Sequence, residues 1–200
     1  IQGLAWRVFR GETIYADFDY VRPPFSPWFH NIWFQLFGVS GGLFAGRIFM
    51  VVQLAIAGWC QLDMLGKGSG KMGTSKVWLF LAVFFLALHN FPAMPWHTID
   101  GIFWGSVGLW LLSRDSRVLF SGWILIGFAV LTKQSFYLLP VLTILWLLLD
   151  ASRPHKKSLF HLLILVILLA PVAYLQRNFW TEMLTWTSGA SSVRDLLQVG

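Results

Sequence analysis

The sequence predicts an all-α polytopic membrane protein, and three observations predict it. Of 200 residues, 56% are hydrophobic and only 12% charged, where a soluble domain sits nearer half and a quarter. Mean hydropathy is +0.65, and apolar runs recur along the chain with short polar loops between them. Aromatics reach 17%, with 12 Trp and 18 Phe, as expected for rings at headgroup level or lining helix packing. The net charge of +6 comes from Lys and Arg scattered through short loops. That pattern fits a cytoplasmic loop bias and argues against a nucleic-acid partner. The single cysteine, Cys60, lies inside an apolar run, which excludes a disulfide framework and a Cys metal site.

In chain order, Ile1 to Arg10 reads as one short helix, with Leu4, Val8 and Phe9 roughly on one side. Residues 1–27 are otherwise mixed and polar, and Pro23, Pro24 and Pro27 forbid a continuous helix. From Pro27 to Phe37, Trp28, Phe29, Ile32, Trp33, Leu36 and Phe37 recur at helical spacing. The segment is too short to span and is strongly aromatic, so it predicts an interfacial helix that breaks at Gly38 to Gly42. Leu43 to Leu62 has about the 20 residues that a bilayer core needs, with Arg47 near its start able to snorkel. A loop from Asp63 to Lys76 follows, then an apolar run from Val77 to Phe91 and a Pro-rich loop carrying His89 and His97. Gly101 to Leu112 is apolar again and ends at Arg114 and Arg117.

Val118 to Leu149 is too long for one ordinary span and is interrupted by Thr132-Lys133-Gln134-Ser135. Two short helices meeting near Lys133 fit it better than one tilted helix. Leu159 to Leu175 reads as a further span, and Gln176 to Gly200 as a loop. The organisation is one domain: residues 1–40 a loop with a juxtamembrane helix, 41–176 membrane helices, 177–200 a second loop.

The loops at 63–76, 113–117 and 150–158 hold eight Lys or Arg between them, whereas that at 90–99 holds none. The positive-inside rule puts the first three in the cytoplasm. Residues 1–40, Asp100, Lys133 and the tail then share the opposite face.

Chemistry is sought there. Asp17 and Asp19 could act as general bases, metal ligands or hydroxyl binders, and Arg22 suits bidentate phosphate contact. Their plain alternative is a solvated loop. Asp100 opens an apolar helix, so it reads both as an N-terminal cap and as a costly membrane carboxylate of the functional kind. Lys133, in a helix break, is placed to hold an anion; its alternative is a snorkelling turn. His89 and His97, eight residues apart with no third partner, make a weak metal signal, and His30 has the same standing. Walker-type loops, nucleophile elbows and zinc-protease helices are absent.

The run GETIYADFDYVRPPFSPWFHNIWFQLFG, followed by Arg47, resembles the first extracytoplasmic loop of GT-C glycosyltransferases. The similarity is to the protein O-mannosyltransferase and aminoarabinose (lipid A) transferase type. HTIDGIFWGSVGLWLLSR is similar to that family's later segment, where an Asp begins a membrane helix, and GWILIGFAVLTKQSFYLLP resembles its Thr-Lys hairpin. The resemblance implies a GT-C-like helical transmembrane domain. Its activity would be transfer of a sugar from a polyprenyl-phosphate donor to an acceptor lipid, glycan or protein on the periplasmic or lumenal face, most naturally of a bacterial inner membrane.

It implies catalytic roles for Asp100, Asp19 and Asp17 and donor-phosphate contacts for Arg22 and Lys133. No cofactor is fixed, and a divalent metal is left open. The family's leading Asp-Glu pair precedes the Gly-Glu-x-x-Tyr element by about a dozen residues or more. A chain beginning at Ile1 is therefore expected to be a fragment whose main catalytic acid lies upstream. The competing expectations are a transporter or flippase for a lipid-linked or anionic substrate, and a non-catalytic membrane subunit.

Overall fold

The computed structural model describes residues 1–18, 20, 22–66, 73–91, 94–114 and 119–149, together with Phe160, Leu163, Val166 and Ala170. Helices dominate and no strand is present among the described residues. The elements are α1 (Gln2–Phe9), α2 (Phe25–Gly66), α3 (Gly73–Asn90), α4 (His97–Leu112), α5 (Leu119–Val130) and α6 (Leu139–Leu149), with a 3-10 turn at Gln134–Phe136 between the last two. The expected span at 159–175 and the tail after Gln176 lie almost wholly outside the described residues.

The 42-residue α2 is bent, because Gly38 sits at φ 67°, ψ −171°. A side chain is excluded from that region by its own Cβ, so glycine is required there. The expected break at Gly38 to Gly42 is thus a single residue, and Val39 to Gly42 are already helical. The expected surface helix begins earlier, at Phe25, with Pro27 tolerated in its first turn. After Gly38 the chain doubles back. Phe29 and Trp33 of the first limb lie against Phe49 of the second, with ring centroids 5.5 and 4.9 Å apart.

The limb from 39 to 66 spans about 42 Å at 1.5 Å per residue, more than the roughly 30 Å hydrocarbon core. Among the described residues α2 is the one helix long and apolar enough to cross a membrane. The remaining helices are shorter.

Polar pairs give the direction of packing. Gln53 meets Asp100, Gln61 meets Ser106, and Asp63 meets Trp110, so the second limb of α2 and α4 run in the same direction. Met50, Leu54 and Ile99 fill their interface, with Phe84 and Leu88 of α3 against them. On the other side of α4, Leu112 packs with Trp123 and Ile126 of α5 and Leu147 of α6. Outside this core, large apolar side chains such as Phe44, Leu65, Trp78, Phe85, Leu86 and Leu149 are more than 60% exposed. In water each would forgo the 1.5–3 kcal/mol or so that burying such a side chain contributes.

The break at Lys133 is present. α5 stops at Val130, and Thr132 closes it by donating its hydroxyl to the Ala129 carbonyl at 2.6 Å. α4 starts three residues earlier than expected, at His97, with Trp96 as an N-cap residue that makes no side-chain cap bond. The cap role expected for Asp100 is therefore not the one it has.

Candidate functional site

The loop between α1 and α2 is a folded unit rather than a free connection. Ile14, Phe18 and Tyr20 are buried together against Leu4 and Val8 of α1, so the apolar side of that short helix serves to seat the loop. Arg7 braces it twice, with Nε 2.5 Å from Glu12 Oε2 and its guanidinium 4.1 Å from the Phe18 ring centre. Tyr15, at φ 70°, donates its hydroxyl to the Arg22 carbonyl, which fixes the backbone from which the Arg22 side chain leaves. The loop also docks on the Lys133 hairpin. The Phe25 amide donates to the Leu131 carbonyl at 3.2 Å, and Phe25 stacks on Phe128 with centroids 4.6 Å apart.

Three side chains expected from the sequence converge on the first turn of α4. Arg22 sets its guanidinium against the His97 ring, with Nη1 2.8 Å from Nδ1 and in contact with Nε2. Lys133 donates to the Thr98 hydroxyl at 3.2 Å. Asp100 has no solvent exposure and accepts from Gln53 Nε2 at 2.9 Å and from His30 Nε2 at 3.0 Å on Oδ1 and 3.2 Å on Oδ2.

His97 stands at the mouth of α4. Burial, then the positive charges of Arg22 and Lys133, push its imidazole down to about 4. It is therefore neutral near pH 7 and offers a lone pair to the guanidinium. Burial likewise pushes the Tyr20 phenol well above its ordinary value, with Arg22 opposing and Asp100 adding to the rise. Among the described residues the Tyr20 hydroxyl is buried without a hydrogen-bond partner, as are Nδ1 of His30 and Oε1 of Gln53.

Asp17 is elsewhere. It is exposed, and its carboxylate accepts from the Thr13 amide at 2.6 Å, closing its own turn. Asp19 lies outside the described residues. Among those described, no group of three or more His, Cys, Asp or Glu could hold a metal ion.

Gln53 and Tyr20 are parts of the site that sequence reasoning passed over, and His30 and His97 carried there only a weak metal signal. Gln53 carried the clearest signal, being an amide in the middle of the Leu43 to Leu62 run, where an unpaired polar group is costly. His30 shares its buried face with Ser26 and Phe34, four residues to either side, so helical spacing alone points it inward.

The chain matches no family model, no curated protein and no solved structure. The functional reading therefore stands on geometry and chemistry. The geometry joins one buried carboxylate to two cations on a single helical turn. Such an arrangement can take a proton at Asp100 while Arg22 and Lys133 stabilise an anionic group beside it. An open apolar cavity of about 750 Å³, lined by Gln61, Met64, Leu65, Leu109, Leu142 and Trp146, lies at the opposite end of the α2–α4 pair.

Proposed function

We propose that the chain is part of an integral-membrane glycosyltransferase that moves a sugar from a polyprenyl-phosphate donor to an acceptor on the extracytoplasmic face. The observation that carries the reading is the convergence of Arg22, Lys133 and Asp100 on residues 97 to 100. These are the three positions to which the resemblance to GT-C enzymes assigns phosphate and acid–base roles. The extent of exposed apolar surface, beyond the single long helix, supports a polytopic arrangement in which α3 to α6 also lie in lipid.

In that reading, a hydroxyl of the acceptor gives its proton to Asp100 as its oxygen attacks the anomeric carbon. The bond from that carbon to the phosphate oxygen breaks, and polyprenyl phosphate leaves with the electron pair. Arg22 and Lys133 stabilise the charge on the departing phosphate. His30 and Gln53 both donate to Oδ1 of Asp100, and His30 reaches Oδ2 at the longer 3.2 Å, so Oδ2 is the oxygen left to face the acceptor. Because Asp100 has no exposure here, access to it requires movement around the start of α4.

The test uses membranes containing the full-length protein and radiolabelled polyprenyl-phosphate sugars. Asp100→Ala or Arg22→Ala should abolish transfer while membrane insertion is kept. Unchanged transfer in both variants would sink the assignment. An anion transporter using the same cations would instead move substrate across vesicles with no donor consumed.

A further inference from the structure

The two cations of the site share a feature that the transferase reading does not use: each is held by a neutral group. Arg22 is permanently cationic, yet its guanidinium sits on an imidazole, and Lys133 sits on a hydroxyl. Among the described residues neither forms an ion pair. The carboxylate three residues from His97 on the same turn, Asp100, is turned instead to His30 and Gln53. Half-buried cations with neutral partners retain uncompensated charge, which a low-dielectric setting makes expensive. A phosphate monoester, carrying about −1.5 to −2 at neutral pH, would neutralise both at once.

A third group points the same way. Tyr20 is 8% exposed, its hydroxyl has no partner among the described residues, and the charges of both Arg22 and Asp100 act on it. A buried phenol within electrostatic range of a cation and an acid, and without a partner among the described residues, is a donor in waiting, since orphaned buried hydroxyls are costly.

Resting on the transferase reading for its choice of ligand, we propose that the Arg22–His97 contact is an exchangeable place-holder. A phosphate monoester takes the guanidinium from the imidazole, and the Tyr20 hydroxyl donates to that phosphate. The exchange is favourable in kind, because a bidentate guanidinium–phosphate pair is stronger than a bond to a neutral ring nitrogen. The Tyr15 hydroxyl holds the Arg22 backbone, so the side chain can swing without unfolding the loop. His97 is thereby a positioning residue that competes with the ligand.

The competition makes the inference testable by binding alone. The purified full-length protein in detergent is titrated with inorganic phosphate and, separately, with undecaprenyl phosphate, and affinity is read by calorimetry. His97→Phe keeps a ring but removes the acceptor, so it should bind phosphate several-fold more tightly than the native protein. His97→Gln restores an acceptor and should bind as the native protein does. Tyr20→Phe should bind about tenfold more weakly, equivalent to roughly 1.4 kcal/mol. Thermal melting of each variant separates these effects from misfolding.

Unchanged or weakened binding in His97→Phe overturns the place-holder, and unchanged binding in Tyr20→Phe removes the phenol from the site. No binding of either probe by the native protein overturns the whole inference. Effects seen with undecaprenyl phosphate and not competed by inorganic phosphate identify a lipid headgroup; ready competition identifies free phosphate. Binding that follows these rules in a protein with no sugar transfer leaves the inference standing and removes the transferase reading.

Discussion

Two carboxylates sit at opposite ends of the same helix pair: Asp63 meets Trp110, ten residues beyond Asp100 on α4, which is about 15 Å along the axis. Their surroundings are opposite in kind. Asp63, near the end of α2, is matched. Lys76 of α3 lies 2.7 Å from Oδ1, the Trp110 indole donates to Oδ2 at 2.9 Å, and Arg114 joins them. Asp100, at the start of α4, is mismatched: His30 and Gln53 hold the acid, while the nearby cations Arg22 and Lys133 rest on an imidazole and a hydroxyl instead of on it. Where charge pairs with opposite charge, the ends of three helices are stapled and nothing is left to offer a ligand. Where charges are kept apart although close, the fold holds unspent electrostatic capacity. The first arrangement serves structure and the second suits function.

The comparison is broken most decisively by neutralising each acid in turn. Asp100→Asn should lower sugar transfer by on the order of 10²–10⁴-fold, the usual contribution of a positioned acid or base. Asp63→Asn should leave transfer within about twofold, because Asp63 lies at the end of the helix pair away from Arg22 and Lys133. Equal losses in the two variants would erase the distinction.

Gly101 gives a smaller effect of the same sense. A Cβ at this position would lie 2.1 Å from the Phe136 ring, in the turn that carries Lys133. Gly101→Ala should displace the turn and slow transfer by roughly ten- to a hundredfold, since misplacement by about 1 Å costs on that order. A variant with wild-type transfer would show that the position of Lys133 does not matter.

The buried donors come next. Among the described residues Gln53→Leu leaves Oδ1 of Asp100 with His30 as its donor, and it should destabilise the fold by about 1–3 kcal/mol. Lys76→Met at the other end removes one partner of a partly buried pair and should cost less, about 1 kcal/mol, with part of the effect lost in high salt. Denaturation in mild detergent at low and high salt compares them.

The smallest effect is on pH. The His97 imidazole is held near 4 in the fold against about 6.5 when free. The stability contributed by the neutral ring is thus fully present above about pH 6.5 and is lost as pH falls towards 4. Melting temperature should drop across that window in the native protein and drop less in His97→Gln.

The architecture was largely legible in the sequence because it rests on local signals. Glycine marked the bend in α2, apolar periodicity marked the helices, and Thr132-Lys133 marked the hairpin. Arg22, Asp100 and Lys133 were legible as unusual charges in apolar surroundings. What brings them together was not, because it depends on contacts 35 to 75 residues apart in sequence. The role of His30 also escaped, since a histidine without a third partner reads only as a weak metal signal until α2 is seen to double back. Asp17 misled for the reverse reason: its charge was conspicuous, but its carboxylate closes a four-residue turn.

The central claim is that the mismatched end does chemistry on a lipid-linked sugar. Its most direct measurement is release of polyprenyl phosphate from a labelled polyprenyl-phosphate sugar by proteoliposomes of the full-length protein, with Asp100→Asn and Asp63→Asn compared side by side. The account predicts release by the native protein and by Asp63→Asn, and none above background by Asp100→Asn. Release by Asp100→Asn at the native rate, or no release by the native protein, would contradict it.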